Sequence, residues 1–98
     1  MEYTLEDAFA MAILHSQTFE IPSNAELRGI KIGDHVKLCF IPTNSTLKSE
    51  RMWVKVKEIY PDGTLAGELD QDPFNLHFLK DKDRIEFHTK NIYQILEH

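Results

Sequence analysis

Cysteine is all but missing from this chain: Cys39 is the single thiol among 98 residues, so no internal disulfide forms and no second thiol stands at metal-ligand spacing. That shortage suits a reducing compartment, and a cytoplasmic setting is expected. Glycine is scarce too, at four residues. None belongs to a nucleophile-elbow, Walker-type or dinucleotide-binding motif. Long apolar runs are also lacking, and Ala8 to Leu14 falls far short of the roughly 20 residues that cross a bilayer. Glu2, Glu6 and Asp7 precede that run where an export signal carries Lys or Arg. No membrane association and no such signal are expected. Positive charge is the last shortage: 11 Lys and Arg face 16 Asp and Glu, a formal charge of -5. Such a chain repels phosphate polyanions unless its cations gather on one face.

What is present is enough for one core. A hydrophobic content of 42% with 28% charged residues is ordinary for a folded protein and too apolar for a disordered one. A chain of this length buries about two-thirds of its unfolded surface in one domain, here taken as residues 1–98. Thr4 followed by Asp7 resembles a capping box. It predicts a helix within residues 1–20 whose apolar stripe Leu5, Ala8, Phe9, Ala12 and Ile13 covers a sheet. Pro22, Ser23 and Asn24 then supply helix-breaking chemistry.

From there the apolar period changes to two, and residues 29–96 read as β-structure. Val36, Leu38 and Phe40 alternate with Lys37 and Cys39 behind the turn Gly33-Asp34, and this strand ends at Pro42. Met52, Val54 and Val56 alternate with Trp53, Lys55 and Lys57. Ile59 falls out of that phase, which predicts a bulge near Glu58. Pro61-Asp62-Gly63 is a turn, since proline presets its φ and glycine accepts the left-handed region. Leu65 to Leu69 follows, then a loop through Phe74 to Lys82, a strand carrying Ile85 and Phe87, one helical turn at Thr89 to Asn91, and a last strand from Ile92 to Leu96. Ile30 to Leu38 echoes Leu79 to Phe87, read as one turn type used twice before an alternating strand. The expected fold is α+β: an N-terminal helix packed on a small five-stranded antiparallel SH3-like β-barrel.

Glu50-Arg51-Met52-Trp53-Val54-Lys55-Val56, with Gly67-Glu68-Leu69-Asp70-Gln71-Asp72-Pro73, resembles the YegJ-like family of bacterial proteins. The resemblance runs from about Gly29 to Leu96 and includes the strand entries Gly33-Asp34 and Lys80 to Asp83. The family pattern favours glycine where this chain has Lys82. No activity is assigned to that family, so the resemblance carries over a fold and no catalytic residue.

Arg51, Trp53, Lys55 and Lys57 fall on one face of their strand if the alternation holds, which sets an aromatic ring among cations. Such a stripe either stacks bases while lysines hold phosphates or anchors a peptide. The competing arrangement puts Trp53 beneath the N-terminal helix with the lysine stems packed around it. The usual burial of large aromatics favours that second arrangement. Asp70, Asp72, Asp81 and Asp83 frame one loop. An EF-hand starting at Asp70 would need glycine at Asn75, so turn caps are expected rather than a metal site. His15, His35, His77, His88 and His98 form no H-x-x-x-H pair, and Cys39 between Leu38 and Phe40 reads as packing. No cofactor, metal or catalytic residue is expected. The expected function is a non-catalytic protein-interaction module, of inhibitor or immunity type, binding through Arg51, Trp53, Lys55, Lys57, Asp70 and Asp72. The alternative is a nucleic-acid-binding barrel using the four residues of the cationic stripe.

Overall fold

The computed structural model describes residues 2–15 and 20–97. Within them lie β1 (Tyr3–Leu5), α1 (Ala8–Leu14), α2 (Asn24–Arg28), β2 (His35–Pro42), β3 (Glu50–Ile59), β4 (Thr64–Leu69), β5 (Arg84–His88), a 3-10 turn (Thr89–Asn91) and β6 (Ile92–Ile95). The sheet runs β1-β2-β3-β4-β5, every pairing is antiparallel, and β6 returns to β2. β6 lies opposite Val36 to Leu38, and β1 continues that edge opposite Phe40 to Pro42. Strands β2 to β6 thus make a small, nearly closed antiparallel barrel.

Alternation builds its core. Val36, Leu38 and Phe40 of β2 face Met52, Val54 and Val56 of β3, and Leu65, Leu69, Ile85 and Ile92 complete the interior. Burying each such side chain contributes about 1.5–3 kcal/mol. Leu76 and Leu79, from the loop between β4 and β5, join the same cluster, as does Ile30 from the segment before β2.

The sequence echo is a structural one. Lys31 N–H donates to the Asp34 carboxylate at 2.9 Å, and Lys80 N–H donates to the Asp83 carboxylate at 3.0 Å. Gly33 N–H donates to the Val56 carbonyl at 2.8 Å, and Lys82 N–H to the Leu69 carbonyl at 2.7 Å. The residue before each aspartate is left-handed, φ 98° at Gly33 and 76° at Lys82. Lysine therefore occupies a position where glycine would be unstrained.

Two bulges shape the barrel wall. Register shifts between Val56 and Glu58, so Lys57 is the extra residue and β3 bends there. Gly67 lies opposite Val56 at the bend. On the other side, Lys37 pairs with Gln94 and Leu38 with Ile92, which leaves Tyr93 as the extra residue of β6.

The N-terminal region departs from expectation. Thr4 lies in β1, paired with Ile41, and caps no helix. Asp7 is the N-cap, its Oδ1 accepting from Ala10 N–H at 2.9 Å. Helix α1 therefore spans seven residues, and residues 16–19 of the expected helix lie outside the described ones. Its buried side is Ala8, with Met11 packed beside it against Cys39, Ile41, Ile21 and Tyr93. Phe9 and Ile13, expected to cover the sheet, are 57% and 65% exposed. Seven consecutive apolar residues carry no periodicity to choose a face. The segment read as a helix breaker begins one instead: Ser23 Oγ accepts from Glu26 N–H, and the Glu26 carboxylate accepts from Ser23 N–H. The side-chain chemistry that stops one helix caps the next.

Candidate functional site

On the outward side of the central strands, register sets Lys37 of β2 opposite Trp53 of β3, Cys39 opposite Arg51 and His35 opposite Lys55. Glu68 of β4 lies opposite Lys55 on the other side. Trp53 is half-buried and belongs to neither hydrophobic cluster. Helix α1 covers Cys39 and Ile41 instead, so Trp53 is not its underside. Lys37 Nζ sits 4.7 Å from the indole centroid, a cation–π contact. The backbone around the ring is fixed: Trp53 N–H donates to Gln71 Oε1 at 2.7 Å, and its carbonyl accepts from Asp70 N–H at 2.9 Å.

The four cations around the ring are not equivalent. Arg51 lays its guanidinium 4.3 Å from the Tyr93 ring centroid. The Tyr93 hydroxyl donates to the Glu6 carboxylate, and Asn91 Nδ2 donates to the Glu6 carbonyl at 3.1 Å. Burial first, and Glu6 second, pushes both the Tyr93 phenol and the Cys39 thiol up. Tyr93 and Asn91 thus fasten the N-terminal segment to the barrel at Glu6, with Arg51 stacked on Tyr93, and Cys39 is a protonated, buried packing residue. Lys57, at the bulge, pairs with Glu68 at 3.7 Å. Lys55 and Lys37 stay on the stripe with Trp53.

Asp70 and Asp72 part company. Asp70 accepts from Lys82 Nζ at 3.1 Å and meets His35 Nε2 at 2.6 Å. Those two partners, Lys82 foremost, hold its carboxyl below the usual range. Lys82 also lies 3.9 Å from Asp81, whereas Asp83 caps the turn at Lys80. Asp70 and Asp81 therefore gather at Lys82 while Asp83 caps its own turn, and no group of metal-ligating side chains converges among the described residues. Asp72 is exposed. Of the histidines, His88 accepts from Lys90 N–H at the 3-10 turn, His15 and His77 are exposed, and His98 lies outside the described residues.

Four features of the surface were not among the expected site residues. Lys37 was legible, since the alternation that faces Val36 and Leu38 inward turns it outward. Glu50 was not: its carboxylate accepts from three consecutive amides, Phe74, Asn75 and Leu76, at 2.6, 2.9 and 3.2 Å. Those bonds, with Leu76 fully buried, hold out Phe74, which is 90% exposed. The fourth feature is a pair of adjoining clefts beside α2. One, of about 520 Å³, lies between α2 and the β3–β4 turn and is lined by Leu27, Ile30, Ile59, Tyr60 and Leu65 with Arg28. The other adds Phe9, Pro22, Lys90 and Ile92. The Ser-x-x-Glu cap at Ser23 was the readable signal for α2. Comparisons with protein-family models, with curated proteins and with solved structures bring no match.

Proposed function

We propose that the chain is a non-catalytic protein-interaction module, of inhibitor or immunity type, built as an SH3-like barrel and working in the bacterial cytoplasm. The observation that carries it is Trp53, half-buried outside both core clusters on the open face of β2, β3 and β4. Lys37 shields one part of the ring, so Trp53 is ordered before binding and loses little freedom on contact. Tryptophan and arginine are the side chains that most often dominate protein interfaces.

The mixed charge of the face favours a protein surface over a phosphate backbone. Glu68 and Asp70 stand among the lysines, and Lys57 and Lys82 are paired with them. The YegJ-like resemblance belongs to this reading, because the motifs that carry it supply the Trp53 strand, the Gly67 bend and the two strand-entry turns. A nucleic-acid interface is the second reading, favoured by the aromatic ring beside Lys37 and Lys55.

Trp53 is the sole tryptophan, so its emission reports on this face alone. A partner captured from the native cell, purified and titrated, should shift that emission, and Trp53→Ala should weaken binding at least tenfold. Binding should persist when salt is raised several-fold. Single-stranded oligonucleotide that quenches Trp53, with affinity falling steeply in salt, would replace this reading by the second.

A further inference from the structure

We infer that this chain self-associates head to tail, Phe74 of one copy entering the cleft between α2 and the β3–β4 turn of another. Phe74 is the most exposed large apolar side chain described, and its loop is built rather than loose. The Glu50 carboxylate gathers its amide with the two that follow, Asn75 Nδ2 donates to the Lys48 carbonyl at 2.8 Å, and Leu76 is buried in the core. An aromatic ring held rigidly in water gives up little conformational entropy when it is covered.

The cleft offers the matching chemistry. Its walls are Leu27, Ile30, Ile59, Tyr60 and Leu65, and its volume of about 520 Å³ falls within the range of sites that enclose apolar groups. Arg28 is the charged residue of its lining and makes no ion pair with a described residue. Asp72, two positions before Phe74 in the same loop, is exposed and gives that loop a carboxylate. Tip and cleft thus agree in apolar character and oppose in charge within a chain that is acidic overall.

They cannot meet within one molecule. The tip lies beside Glu50, where β3 starts, and the cleft beside Ile59, where it ends. Ten residues of strand separate the two by roughly 30 Å. Contact therefore runs between copies, as a heterologous interface that grows into a ring or an open chain. It does not depend on the Trp53 face, and the Trp53→Ala protein should associate like the wild type.

Sedimentation of the full chain from micromolar to millimolar concentration tests the inference. The wild type should form species larger than a dimer as concentration rises. Phe74→Ser keeps the cleft and loses the tip, Ile59→Lys does the reverse, and each should be monomeric with an association constant at least tenfold weaker. Mixed in equal amounts, the two should form one heterodimer and stop there. Asp72→Arg should weaken association, and Arg28→Asp in the same chain should restore it. Circular dichroism on each variant separates misfolding from lost contact. A wild type that stays monomeric throughout, or a closed dimer that survives Phe74→Ser, would overturn the inference. So would a Phe74-dependent complex with another protein when no self-association is seen.

Discussion

At Gly67 there is no space for a side chain. A Cβ there would stand 2.2 Å from the Lys55 carbonyl oxygen, a backbone atom that cannot move without breaking the β3–β4 ladder. Gly67→Ala should therefore destabilise by more than about 3 kcal/mol, the range of mutations that disrupt a packed backbone, as read by urea unfolding. Gly33 makes the contrast, since a Cβ there meets nothing within 4 Å and only its φ of 98° resists substitution. Gly33→Ala should cost about 1–2 kcal/mol, the ordinary price of a left-handed alanine. Asp70 gives the pH dependence of the same turn. Its carboxyl is held low by Lys82 and then His35, so folding favours its ionised form. That stability is present above the unfolded carboxylate range, near pH 3.9, and is lost as pH falls through the lower folded value. Asp70→Asn should be less stable than wild type at neutral pH, by up to about 1 kcal/mol for a surface pair. The difference should vanish in acid, and one that persists there would assign Asp70 another role.

Among the elements, the loop from Asp70 to Asp83 has three successive amides held by one distant side chain, Glu50. Glu50→Ala removes the acceptor of three amides, of which Leu76 sits in the core. Leaving buried donors unpaired costs about 1–3 kcal/mol each. Amide exchange at Phe74, Asn75 and Leu76 should accelerate while β2 amides keep their protection, and unchanged exchange would contradict this account of the loop. The strands were legible in the sequence because one buried face imposes a period of two, and even the bend after Val56 showed as Ile59 leaving the phase. The 3-10 turn at Thr89 to Asn91 was legible as a polar interruption between two strands. Strand β1 was not, since Tyr3–Leu5 is too short to show a period and is fixed by pairing with Phe40 to Pro42. Helix α1 was half legible, found as a helix but with its buried face misread. Glu50 and Phe74 are a contact and an exposure made by tertiary structure, invisible to local pattern.

For the whole molecule, the excess of acid rules out no interface by itself, because charge is sorted over the surface. Lys37 and Lys55 flank Trp53, Asp70 borders that face, and Arg28 and Lys90 edge the clefts beside α2. The stripe was legible as a set of alternating residues. Its division was not: the stacking of Arg51 on Tyr93 depends on the β6 bulge, which one-dimensional spacing does not reveal. The interaction reading stands on Trp53 lying outside the core, with Met52 beside it inside. Unfolding of Trp53→Ala next to Met52→Ala, followed by circular dichroism in urea, tests this most directly. Met52 is fully buried, and its truncation should cost about 2–5 kcal/mol. Trp53→Ala should unfold in one cooperative step with a loss of only about 1–2 kcal/mol, less than the 3–5 of a buried ring. A loss at Trp53 equal to or above that at Met52, or a collapse of cooperativity, would place the indole in the core and contradict the account.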